Sequence, residues 1–289
     1  MRGVIAAVPT PFDANGVPQR KPFIEHCQWA LNNGCDGLNI LGSTGEANSI
    51  SNENRISIMQ WAASDLETSK LMVGTGTPSL DDTIELTKRA DHLGYQIALV
   101  LPPYYYKPLS DEGLIGWYAA LDNALTDRAI GIYFYNFPQM TGISIPIDVV
   151  AALAKSAPKR FTGIKDSSGD LDYCRSILKA SPTLSVFPSS ETSLAEAKES
   201  GFAGCISATV NITAALCAEV WANRDNPDQE TLKIIGKQRA DIVEAGLVPA
   251  IKQLVSHRSG NTIWKNCLPP FLITDKNVAD ALIAKVSKG

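Results

Sequence analysis

Eight short runs of apolar, β-branched and aromatic residues, each followed by a longer stretch of helical periodicity, constrain this chain more than any other feature. The runs cover residues 4–8, 37–41, 71–74, 97–101, 130–135, 161–165, 184–187 and 204–207. A first helix is predicted to open at Lys21-Pro22, where proline suits the first turn, and to close near Asn33-Gly34. Further helices are predicted over roughly 53–63, 80–93, 111–124, 147–154, 171–180, 193–199 and 212–221. Runs such as IALVLPP and AIGIYFYN are apolar almost without interruption, as strands buried on both faces must be, so the sheet is expected to be parallel and covered by helices. An open doubly wound sheet usually has fewer strands, and its dinucleotide-binding form needs G-x-G-x-x-G after an early strand; here PTPFDANG follows instead. The pattern predicts one closed (β/α)8 TIM barrel over residues 1–224. A helical extension over 225–289 is expected to pack on the barrel, beyond the polar stretch WANRDNPDQ, without forming an independent domain.

The rest of the composition narrows the class of function. A net charge of -4 with no long basic run offers no broad field for phosphate backbones, which disfavours nucleic acid as a partner. The six cysteines are scattered with no C-x-x-C and read as reduced, mostly buried small hydrophobes. His26, His92 and His257 stand singly, outside any H-E-x-x-H or comparable ligand spacing, so a bound metal is not implied. MRGVIAAVPTPF lacks the long apolar core of a signal peptide, and no run of about eighteen apolar residues occurs, so a cytoplasmic protein without membrane contact is expected.

In a closed eightfold barrel the chemistry sits where strands run out into the following loops. That rule gathers Thr10, Ser43, Thr44, Thr75, Tyr104, Tyr105, Tyr135, Asn136, Lys165, Ser189 and Ser190 at one mouth. Lys165 carries the sharpest chemistry: it closes the sixth run in FTGIKDSSGD. An amine stripped of water there has its pKa lowered from about 10.4 toward neutrality and is able to attack a carbonyl to form a Schiff base. A structural lysine paired with Asp166 or another acid is the competing reading at this point. Tyr135 ends the neighbouring run with the parity of Tyr133, opposite to Phe134, and a hydroxyl at that height is suited to proton transfer. The GSTGE turn, Gly42 to Glu46, offers N–H groups and the hydroxyls of Ser43 and Thr44 to a carboxylate, although short Gly-bounded turns are common. Glu46 is expected to serve as a helix-start or supporting carboxylate and not as a base.

These residues carry a resemblance. PTPF at 9–12, GSTGE, GTGT at 74–77, LPPYYYKP at 101–108, YNFP at 135–138 and GIKDSSGD at 163–170 follow one another in the order and spacing of the pyruvate-dependent class I aldolases that include dihydrodipicolinate synthase and N-acetylneuraminate lyase. The chain resembles that family over most of its length. The resemblance implies that Lys165 forms the Schiff base with pyruvate or another 2-oxo acid, that Tyr135 transfers protons, and that Ser43 and Thr44 stand near the substrate carboxylate or in the proton relay. It further implies that Tyr105 matches a relay tyrosine that in many members enters from a neighbouring subunit, in a homodimer or homotetramer, and that Ile206 lines the pyruvate pocket. The implied reaction needs no cofactor.

One position departs from the biosynthetic pattern. Dihydrodipicolinate synthases typically carry an arginine two residues after the proline of the tyrosine motif, and here YNFPQMTG puts Met140 there. A thioether cannot replace a guanidinium fork, whose charge-assisted bonds are among the strong ones. The expected reaction is therefore cleavage of a 2-oxo-3-deoxy sugar acid, or a related hydroxylated 2-oxo acid, to pyruvate and an aldehyde. Gln139, Thr141, Ser189, Ser190 and Glu191 are the expected partners for its hydroxyls, with a helix cap the competing role for the FPSSET patch. Dihydrodipicolinate synthase activity, and dehydratase or deaminase chemistry on a 2-oxo acid, are the alternatives.

Overall fold

The computed structural model describes residues 1–287 of the chain. Its strands are β1 (Gly3–Ala7), β2 (Gly37–Ile40), β3 (Leu71–Gly74), β4 (Ile97–Val100), β5 (Gly131–Asn136), β6 (Phe161–Asp166), β7 (Ser185–Pro188) and β8 (Gly204–Ser207). All pair in parallel, in the order β7-β6-β5-β4-β3-β2-β1-β8. The seam between β7 and β8 is drawn together by a backbone bond from Ala203 N–H to Val186 O, 2.9 Å. The molecule is thus a (β/α)8 TIM barrel, as the alternation predicts.

The helices follow the strands. They are α1 (Arg20–Asn32), α2 (Asn52–Asp65), α3 (Leu80–His92), α4 (Asp111–Ala124), α5 (Pro138–Thr141), α6 (Ile147–Ser156), α7 (Leu171–Ala180), α8 (Ala197–Ser200) and α9 (Val210–Ala222), then α10 (Gln229–Glu244), α11 (Leu247–Ser259) and α12 (Lys276–Val286). Several starts are capped as their sequences suggest: Ser51, Ser79, Ser110, Asp170 and Asp228 each accept a backbone N–H from the first turn. The seventh helical segment departs from the expected helix over 193–199. It is a 3-10 stretch, Glu191–Glu196, running into the single turn of α8.

Strand alternation sorts the core into two layers. Val4, Leu38, Val73, Ala98, Phe134 and Ile164 face the helices, whereas Ile5, Ala7, Met72, Leu99, Tyr133, Tyr135, Phe187 and Ile206 fill the barrel. Gly163 makes room for the Tyr133 ring inside the barrel, because a Cβ there would stand 2.7 Å from it. The last three helices enclose a separate apolar cluster of Ile242, Ala250, Ile251, Leu254, Val255, Trp264 and Leu282. Among the described residues no helix is long and apolar enough to cross a membrane, and no group of three or more His, Cys, Asp or Glu side chains is placed to hold a metal ion.

Candidate active site

The chemistry-bearing residues meet where β5, β6 and the turn after β2 converge. Tyr135 and Lys165 are direct register partners on β5 and β6, so their side chains rise side by side from adjacent strands. Lys165 is 4% exposed and Tyr135 is 3% exposed. The Lys165 ammonium donates to the Tyr135 hydroxyl at 3.3 Å and lies 4.4 Å from the centre of its ring. The same hydroxyl lies 3.4 Å from Ser43 Oγ, completing a line from lysine to tyrosine to serine.

Strand alternation also separates the lysine from the acid beside it. Asp166 points to the opposite face, where it accepts from Asn136 Nδ2 at 2.7 Å and from Ser168 Oγ at 2.8 Å. Burial raises the Asp166 pKa above the ordinary carboxylate value, against the lowering effect of these donors. Among the described residues no carboxylate stands within ion-pair distance of Lys165, so the pairing with Asp166 that competes in the sequence does not occur.

The turn after β2 is built under strain. Leu41 (φ 54) and Glu46 (φ 56) are the non-glycine residues with left-handed backbone, and they bracket Gly42–Gly45. Such residues each cost on the order of 1 kcal/mol or more and persist where surroundings hold them. Here the surroundings are specific. Thr10 Oγ1 donates to Gly45 O at 2.9 Å, and Gly74 makes room, since a Cβ there would fall 2.1 Å from Leu41 O. Buried Glu46 pairs with fully buried Lys252 of α11 and accepts from Leu268 N–H at 2.6 Å. Burial lowers the Lys252 pKa despite the carboxylate. Glu46 is thus a supporting carboxylate that ties the turn to the C-terminal helices. Thr44 is buried in the same turn and Ser43 is half-buried.

Other expected residues are distributed as follows. Ile206 lies inside the barrel in the cluster that contains Tyr135. Tyr104 is half-buried and lines the mouth, whereas Tyr105 is 73% exposed and stacks edge-on against Tyr106, outside its own barrel. Thr75 and Asn136 face the helices, bonded to Thr87 and to Asp166 respectively. Met140 is 68% exposed on α5 at the rim. Several hydroxyl and carboxyl groups expected to meet a sugar are engaged elsewhere. Thr141 Oγ1 is tied to Phe137 O and Ile143 O, both 3.0 Å, and Gln139 donates to Ser168 O at 2.7 Å. Ser190 bonds Thr192 at 2.8 Å, and fully buried Glu191 pairs with Arg239 of α10 at 2.8 Å. Ser189 is half-buried at the end of β7.

The structure adds residues that sequence reasoning passed over. Asn39 is fully buried inside the barrel, and neither end of its carboxamide meets a protein partner. Its signal was a polar residue at an inward position of the otherwise apolar run GLNIL. Pro270 and Phe271, from the loop between α11 and α12, line a pocket of about 210 Å³ with Ser43, Leu101, Tyr104 and Met140. No short-range signal ties that loop to the mouth.

The model of the dihydrodipicolinate synthetase family matches residues 1–288. The chain is 33% identical over 208 residues to an uncharacterized DapA-like lyase of Chloroflexus aurantiacus, covering 72% of this chain and 69% of the relative. It is 32% identical over 232 residues to a 4-hydroxy-tetrahydrodipicolinate synthase of Rhodospirillum centenum, covering 78% and 76%. The crystal structure of dihydrodipicolinate synthase from Agrobacterium tumefaciens superposes with a TM-score of 0.91 at 27% identity, covering 100% of this chain and 99% of that one. The chain belongs to the dihydrodipicolinate synthetase family of class I aldolases and lyases.

Proposed function

We propose that this protein is a Schiff-base lyase that cleaves a 4-hydroxy-2-oxo acid to pyruvate and an aldehyde, with Lys165 as nucleophile and Tyr135 as the proton-transfer group. The Lys165 amine adds to the C2 carbonyl, and loss of water gives the iminium. The Tyr135 hydroxyl, having given its proton to the departing water as the iminium formed, takes the proton of the C4 hydroxyl as the C3–C4 bond breaks. The electron pair of that bond forms the C2–C3 double bond of an enamine and neutralises the iminium, and the aldehyde departs. Protonation at C3 and hydrolysis return pyruvate and the free lysine. Ser43 extends the relay from the tyrosine, and the GSTGE turn and Thr44 receive the substrate carboxylate through local donors, since a chain of net charge -4 offers an anion no broad positive field.

One observation carries this reading: a buried lysine with no carboxylate beside it among the described residues, 3.3 Å from a buried tyrosine hydroxyl. Sugar-derived 2-oxo-3-deoxy acids are among the substrates this chemistry serves. Condensation of pyruvate with aspartate semialdehyde is a second reading, favoured by the Rhodospirillum relative's name and disfavoured by Met140 where an arginine would grip the second carboxylate. Tyr135→Phe tests the assignment through kinetics. Loss of the hydroxyl is expected to lower kcat by roughly 10²- to 10⁴-fold. Wild-type kcat in that variant would remove Tyr135 from the mechanism.

A further inference from the structure

The pocket beside Ser43 presents mostly apolar surface where a sugar chain would need partners. Ser43, whose Oγ lies 3.4 Å from the Tyr135 hydroxyl, also lines this pocket, which places it next to the proton-transfer group. Its walls are Leu101, Tyr104, Met140, Pro270 and Phe271. Of the polar residues that line it, Glu46 is engaged with Lys252, Ser49 Oγ with Pro269 O at 3.0 Å and Thr141 within its own loop, which leaves Ser43, Asn48 and the Tyr104 hydroxyl to meet a ligand. A polyhydroxylated chain placed here would leave its water and find few replacements, which disfavours it, whereas an aryl or branched alkyl group would bury apolar surface on both partners.

We infer that the aldehyde half of the substrate carries an apolar group, aryl or branched alkyl, seated between Met140 of α5 and Phe271 of the C-terminal loop. This rests on the Schiff-base reading and narrows its substrate class from 4-hydroxy-2-oxo acids in general to those with an apolar substituent at C4, in place of the sugar acids. The C-terminal loop then acts in specificity, supplying one wall of the distal subsite.

The test runs the reaction toward condensation, with the enamine carbon of Lys165-bound pyruvate attacking the aldehyde carbon to form the C3–C4 bond. Pyruvate is supplied with benzaldehyde or with glyceraldehyde, and borohydride trapping of pyruvate alone is measured in parallel. Benzaldehyde is expected to be preferred by roughly tenfold or more in kcat/KM, the lower end of what an apolar pocket discriminates. Phe271→Ser and, independently, the rim variant Met140→Gln are expected to reduce that ratio. Trapping at Lys165 together with preference for glyceraldehyde, or with neither aldehyde accepted, would overturn the apolar assignment while leaving the Schiff base intact. Absence of trapping would overturn both.

Discussion

At the scale of single residues, the site depends on a buried ion pair that touches no reacting atom. Glu46 closes the strained turn that carries Ser43 and Thr44, and Lys252 neutralises it from α11 while lying 4.4 Å from the Phe12 ring centre. Replacing both charges by apolar groups of similar shape is often near neutral, but removing one leaves the other buried and uncompensated, at a cost of about 3–5 kcal/mol. Lys252→Met is therefore expected to destabilise the protein by about that amount in urea unfolding, and Glu46→Leu with Lys252→Met to recover much of it. Equal losses in the single and double variants would mean that packing, not charge, holds the turn. Asn39 makes the opposite point about polar burial. It is a fully buried carboxamide with no protein partner, at the level of the barrel where Ala7 and Met72 are its neighbours in register.

At the scale of elements, the helices beyond the barrel are stitched to it by polar groups as well as by apolar packing. His26 of α1 is buried between Arg258 of α11, which donates to Nδ1 at 2.8 Å, and Asn211 of α9, whose Oδ1 lies 2.8 Å from Nε2. That arrangement fixes the neutral ring with its proton on Nε2. Burial first and the Arg258 charge second pull the His26 pKa down to about 3. Below about pH 6.5 the unfolded chain therefore takes up a proton that the folded state refuses, so stability falls with falling pH by about 1.4 kcal/mol per unit. Between about pH 6.5 and pH 5 the wild type is expected to lose about 2 kcal/mol that a His26→Gln variant does not, read by urea unfolding at each pH. Identical slopes would show that the imidazole titrates freely. The strands were legible from sequence because each is buried on both faces, so its apolar run survives without context; parity set Tyr133 and Tyr135 together against Phe134, and the fold puts the first two inside the barrel and the third outside. The Glu191–Arg239 and Glu46–Lys252 pairs were not legible. Each joins residues tens to hundreds of positions apart, and a polar side chain that reads as a substrate contact in FPSSET is indistinguishable there from one that answers a distant arginine.

At the scale of the whole molecule, a barrel and a set of terminal helices share one mouth. The barrel supplies Lys165 and Tyr135 from adjacent strands, and the loop after α11 supplies Pro270 and Phe271 at the rim. Tyr105 and Tyr106 lie outside, 73% and 76% exposed, so the tyrosine expected in a relay stands on the outer surface of its own chain. Site assembly was legible where it follows strand ends and illegible where it depends on how the last helices return over the barrel. Everything in the chemistry nevertheless converges on one nitrogen. Incubation of the intact protein with pyruvate and borohydride, followed by peptide mass mapping, tests it directly: a reduced pyruvate adduct on Lys165 and its loss in Lys165→Ala are the expected result, and an unmodified Lys165, or an adduct on a different lysine, would contradict the Schiff-base account.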